Sequence, residues 1–60
     1  MTKSEIKTAE KMLTDRSERT EIIGLDGGGF ALSVQFKSDG WQKIFYTLDQ
    51  VEAFIAERSR

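Results

Sequence analysis

Few side chains in this sequence are suited to catalysis or to metal binding. The chain has no histidine and no cysteine, so proton transfer would depend on carboxylates, lysines or Tyr46. Each of these groups needs a desolvating pocket to bring its pKa near neutrality, and a chain of 60 residues has little room for one. No acidic run has the spacing of a calcium loop. We therefore expect no enzymatic activity, no catalytic residue, no metal and no cofactor.

Charge is instead the most informative chemical feature, because the two signs are separated along the chain. The basic residues recur every four positions near the start, and they are Lys3, Lys7 and Lys11. Near the end, the polar side of the last helical segment carries Asp49, Glu52 and Glu57. The formal net charge is only −1, which argues against general affinity for nucleic acids. Segregated charge of this kind can orient a charged partner, so the acidic residues are candidate partner-binding residues.

Two aromatic residues alternate with a lysine in the segment Trp41, Lys43 and Phe45. Together with Lys37, this pattern could form a sheet face on which nucleic-acid bases stack, helped by the three N-terminal lysines. The opposing interpretation is that a helix covers this face and that both rings belong to the core. The sequence leaves both open.

Glycine and polar residues mark two turns. The run Gly27 to Gly29 lacks the Lys-Ser/Thr ending of a phosphate-binding loop and is typical of a hairpin connection. A second hairpin is predicted at residues 38–40, where Ser-Asp-Gly follows an alternating apolar segment. These turns separate three predicted strands, at 20–25, 30–37 and 41–47.

The register of the second hairpin decides which side chains of the third strand are buried. A three-residue loop at 38–40 pairs Val34 with Ile44 and places Ile44 in the core. A two-residue loop of Asp39 and Gly40 would turn every side chain of that strand to the other face. We favour the first register, because it keeps Lys43 out of the core.

Helical patterns flank the strands. Thr2 and Glu5 have the spacing of a capping box, and Thr47 and Gln50 repeat it before the last segment. Each helix has an apolar arc at helical spacing, formed by Ile6, Ala9, Met12 and Leu13 in the first and by Leu48, Val51, Phe54 and Ile55 in the second.

The predicted fold class is therefore α+β, in the order α-β-β-β-α. A three-stranded antiparallel meander is packed by two amphipathic helices, as a single domain over 1–60. No segment is apolar enough for a signal peptide or a membrane span, and the absence of disulfides favours the cytoplasm.

Helix, three strands, helix is also the order of double-stranded-RNA-binding domains and of small ribonuclease toxins. The resemblance ends at topology, because this chain lacks the catalytic histidine of the toxins. It has Asp49 and Glu52 where the RNA-binding domains carry a lysine cluster.

In size, lack of disulfides and charge segregation, the chain resembles the small phage-encoded anti-CRISPR inhibitors. The resemblance implies a protein-binding inhibitor that docks on a CRISPR effector complex in the host cytoplasm and blocks its DNA-binding surface. Asp49, Glu52 and Glu57 would then stand in for phosphates. We expect a monomer or weak homodimer with a protein partner and no direct binding of nucleic acid. The alternative is a nucleic-acid-binding module that uses Trp41, Lys43 and Phe45.

Overall fold

The computed structural model describes residues 1–58 and has the predicted α+β order. The elements are α1 (Lys3–Leu13), β1 (Ser17–Gly24), β2 (Phe30–Phe36), β3 (Gln42–Phe45) and α2 (Leu48–Arg58). The strands form one antiparallel sheet in the order β1-β2-β3, which is the predicted meander. Neither helix is both long and apolar enough to cross a membrane within the described part of the chain.

The N-terminus of α1 is fixed by the capping box that the sequence predicts. The Glu5 N–H donates to the Thr2 hydroxyl at 3.2 Å, and the Thr2 N–H donates to the Glu5 carboxylate at 2.9 Å. The Thr2 N–H bond holds the pKa of the Glu5 carboxyl below its usual value, since it stabilises the charged form. One face of the helix is buried through Ile6, Ala9 and Leu13.

The first hairpin joins β1 and β2 through the glycine run. Gly28 and Gly29 have φ values of 96° and 82°, which side-chain-bearing residues rarely adopt. The run is thus a hairpin connection, as predicted. Strand β1 begins at Ser17, three residues before the predicted start at Thr20, and its register shifts between Ser17 and Arg19. The shift accommodates one extra residue in β1, so the polar residues before Thr20 also pair with β2. The sequence pattern did not indicate this additional pairing.

The second hairpin has a register that differs from both sequence interpretations. The Phe36 N–H donates to the Trp41 carbonyl at 2.8 Å, which leaves a four-residue loop at 37–40. Gly40 closes this loop with a φ of 73°. Val34 therefore lies opposite Lys43, so the predicted pairing of Val34 with Ile44 is wrong.

The register places Phe45 in the core and removes Ile44 from it. Phe45 is fully buried and meets the Phe54 ring edge-on at 5.5 Å, whereas Ile44 is 40% exposed. The larger aromatic ring gains more from burial than isoleucine does. Lys43 is tolerated on the same face as Phe45 because its side chain remains exposed, with Nζ 5.7 Å from the centre of the Phe45 ring.

Both helices pack on one face of the sheet, and they share a single core. That core is formed by Ile6, Ala9, Leu13, Leu32, Val34, Phe36, Phe45 and Val51. The other face carries no helix in residues 1–58. It contains Ser33, whose hydroxyl accepts a hydrogen bond from the Gln42 side chain at 2.6 Å.

The N-terminus of α2 contains a shifted version of the predicted cap. The Gln50 N–H donates to the Thr47 hydroxyl at 3.2 Å, but the Gln50 side chain accepts from the Tyr46 N–H instead of the Thr47 N–H. The amino group of Met1 donates to the carbonyl of the same tyrosine at 3.2 Å. These bonds fix the main chain where β3 leads into α2.

Candidate functional site

Exposed apolar side chains are concentrated next to one edge of the sheet. Four large hydrophobic side chains are exposed among the described residues, and they are Ile22, Trp41, Ile44 and Tyr46. Three of the four lie within residues 41–46, which we term the β3 edge. Trp41 is 72% exposed and Tyr46 is 50% exposed. Large exposed apolar groups that are close together are a common mark of a contact site.

The main chain of the β3 edge is also open to pairing. Strand β3 is the last strand of the sheet and has β2 as its neighbour on one side. Because Trp41 bonds to β2, alternation along the antiparallel ladder directs the N–H and C=O groups of Gln42 and Ile44 away from β2. An additional strand could therefore bind to these groups.

A groove of about 730 Å³ lies at the start of the β3 edge. We term it the Trp41 groove, and it is lined by Asp15, Arg16, Phe36, Lys37, Ser38, Asp39, Trp41, Gln42, Lys43, Phe54 and Arg58. The lining includes four cations and two carboxylates, so its charge balance is positive although the chain as a whole carries −1. Within residues 1–58, none of the four cations is held in an ion pair. The Asp39 carboxylate accepts a hydrogen bond from the Trp41 N–H at 3.2 Å.

Aromatic rings lie beneath two of these cations. The Arg58 guanidinium is 4.7 Å from the centre of the Phe54 ring, and that ring stacks on Phe36 at 4.9 Å. A cation over a ring face is favoured by the ring quadrupole. The contact restricts the guanidinium while its hydrogen-bond donors remain available.

A second groove, of about 410 Å³, lies beside the remainder of the β3 edge. We term it the β3–α2 groove, and it is lined by Lys43, Ile44, Tyr46, Gln50, Ala53, Phe54 and Glu57. Lys43 and Phe54 line both grooves, so the two are adjacent along the strand. The cations of the edge lie at its Trp41 end, and Lys43 is the one cation that lines the β3–α2 groove.

The predicted partner-binding residues share one helix, but they do not share one groove. Asp49, Glu52 and Glu57 are all exposed on α2, as expected for a polar helix face. Only Glu57 borders a groove, while Asp49 and Glu52 lie outside both grooves of the β3 edge. The three acidic residues therefore do not line one groove together.

The predicted nucleic-acid-binding residues are also only partly brought together. Trp41 and Lys43 share the Trp41 groove, but Phe45 is completely buried, so its predicted role as an exposed stacking ring is wrong. The N-terminal lysines, Lys3, Lys7 and Lys11, are exposed on α1 and do not line this groove. Sequence reasoning missed Arg16, because only the tertiary fold brings the end of α1 beside the second hairpin.

Within the described residues, no three acidic side chains are grouped closely enough to hold a metal ion. Comparison with protein-family models, with curated proteins and with solved structures finds no match to this chain.

Proposed function

We propose that this chain is a non-enzymatic protein-binding module whose partner docks on the β3 edge. The observation that carries the proposal is the concentration of Trp41, Ile44 and Tyr46 in six consecutive positions of an edge with outward-facing main-chain groups. Tryptophan and tyrosine are among the residues that contribute most to protein interfaces. An apolar centre surrounded by polar groups is the usual anatomy of such a surface.

Strand addition is the binding mode that this edge supports best. An extended partner segment would bond to the main chain of Gln42 and Ile44, and this bonding supplies affinity that does not depend on sequence. Its alternate side chains would point either towards the β3–α2 groove or towards the helix-free face of the sheet. Ile44 lies opposite Ser33, so its side chain is on the helix-free face at the margin of the groove, and it is the central apolar contact in this arrangement.

A narrower form of the proposal is an inhibitor similar to the anti-CRISPR proteins. In this form the partner is an effector complex, and the chain covers its DNA-binding surface. Its support is the exposure of Asp49 and Glu52 on α2, where they can face a basic surface while the β3 edge makes the apolar contact.

The test compares identical substitutions on the two edges of the sheet. Peptides are selected from a displayed random library on the immobilised full chain, and their affinity is then measured for Ile44→Lys and Ile22→Lys. Both isoleucines are exposed, at 40% and 53%, so both variants should remain folded. We expect Ile44→Lys to abolish binding, and Ile22→Lys, on β1, to bind like the parent.

Two results would contradict docking at the β3 edge. One is a set of selected peptides whose affinity is unchanged by Ile44→Lys. The other is equal loss of binding in both variants, which would indicate a non-specific effect of added charge.

A further inference from the structure

The geometry points to an acidic extended segment as the occupant of the β3 edge, with its carboxylates in the Trp41 groove. This inference rests on the proposed function and defines the chemistry of the partner. It commits to a peptide whose acidic residues lie at the Trp41 end of the edge and whose neutral residues lie at the Tyr46 end.

The cations of the Trp41 groove are available to bind an external anion. Arg16, Lys37, Lys43 and Arg58 all line the groove, and none forms an ion pair within residues 1–58. Four like charges that line one groove repel one another and favour an anionic occupant. The two carboxylates of the lining, Asp15 and Asp39, leave a cationic excess.

The position of Arg58 suits recognition of a carboxylate. Its guanidinium lies 4.7 Å from the Phe54 ring centre, so part of its freedom is already restricted before binding. The planar group can form two parallel hydrogen bonds to one carboxylate, which lysine cannot do. Lys43 lies on the strand itself, between the two grooves, and would reach a second acidic side chain.

Charge also varies along the edge, and this variation determines which end of a partner segment lies beside Trp41. Beside Tyr46 the β3–α2 groove is lined by neutral side chains, among them Gln50, which accepts a hydrogen bond from the Tyr46 N–H, so an acidic residue there would gain no cationic partner. The favoured segment is thus acidic beside Trp41 and uncharged beside Tyr46.

A short peptide fits this charge pattern better than a nucleic acid does. A nucleic-acid strand carries a charge on every phosphate and would meet carboxylates as well as cations along the edge. Asp15 and Asp39 line the Trp41 groove, and Glu57 lines the adjoining β3–α2 groove. A peptide can place one or two carboxylates in the groove and remain neutral elsewhere.

The experiment follows the emission of Trp41, the single tryptophan of the chain, during titration of the full chain with defined probes. The probes are peptides of about eight residues that alternate valine with glutamate, glutamine or lysine in either the first or the last half and with glutamine in the remaining half, and a thymidine oligonucleotide of similar length. We expect the Glu–Val peptide to bind about tenfold or more tightly than the Gln–Val peptide at low salt. The advantage should shrink as salt is added, and the Lys–Val peptide should bind most weakly.

Matched variants assign the effect to the groove. Lys43→Gln combined with Arg58→Gln should reduce the Glu–Val affinity to that of the Gln–Val peptide. Lys3→Gln combined with Lys7→Gln removes the same charge from α1, outside the groove, and should leave the preference intact.

Three outcomes would overturn the inference, and each has a different meaning. Equal binding of the Glu–Val and Gln–Val peptides would reject the acidic partner while leaving docking at the β3 edge. Tighter binding of the oligonucleotide, lost in the Lys43 and Arg58 variant, would make the groove a nucleic-acid site. The proposed function itself would be rejected if no probe peptide changed the Trp41 emission and if the library-selected peptides also bound the Ile44→Lys variant as tightly as the parent.

Discussion

The two outer strands of the sheet differ in how they meet solvent. Strand β1 has eight residues, an irregular register between Ser17 and Arg19, and exposed charges at Glu18, Arg19 and Glu21. Strand β3 has only four residues and is flanked by the exposed rings of Trp41 and Tyr46. Bulges and charged side chains are the usual means of preventing unwanted pairing at a sheet edge.

The two edges therefore differ in how pairing is restrained, by a register shift and charges on β1 and by short length on β3. Short length is the main restraint on the β3 edge, because a four-residue strand offers few main-chain groups to a second strand. Lys43 adds a charge there, but it lies on the face shared with Phe45, next to the grooves. The β3 edge thus offers only a small surface for pairing, and the proposed docking uses that surface.

The largest effect is expected from the residue that anchors β3. Phe45 is the one buried residue of this strand and contacts Phe54 across the core. Phe45→Ala should lower the free energy of unfolding by about 3–5 kcal/mol, measured by urea denaturation. Ile44→Ala is the matched control and should cost well under half of that, since its side chain is partly exposed. Equal costs for the two variants would contradict the register described for β3.

A smaller effect is expected at the turn that sets this register. Gly40 has a φ of 73°, and a Cβ there would meet no atom within 4 Å, so the cost of Gly40→Ala is backbone strain alone. We expect a loss of about 1–2 kcal/mol in the free energy of unfolding. Gly27→Ala in the turn beside β1 is the control, because its Cβ also has open space and its φ is not in the left-handed range. That variant should be neutral or slightly stabilising, and a Gly40→Ala variant as stable as the parent would count against the four-residue loop.

The sequence predicted the element order, the α1 cap and the buried faces of β2 and α1, because these depend on local patterns. The predicted register of β3 was wrong, because Lys43 and Phe45 lie on the same face of the strand. The prediction kept Lys43 out of the core, but a lysine at the margin of a core can leave its amino group in solvent while Phe45 on the same face is buried. The site was even less accessible to sequence reasoning. Arg16, Trp41 and Arg58 meet only after three separate segments have folded.

The most direct test of the central claim is amide hydrogen exchange along β3, measured by NMR with and without a peptide selected on the displayed library. In the free chain, the amides of Lys43 and Phe45 should exchange slowly and those of Gln42 and Ile44 quickly, because only the first pair bonds to β2. With saturating peptide, we predict that the Gln42 and Ile44 amides become protected as the added strand accepts their hydrogen bonds. If both amides continue to exchange as fast in the saturated complex as in the free chain, the partner does not pair with β3 and the account is wrong.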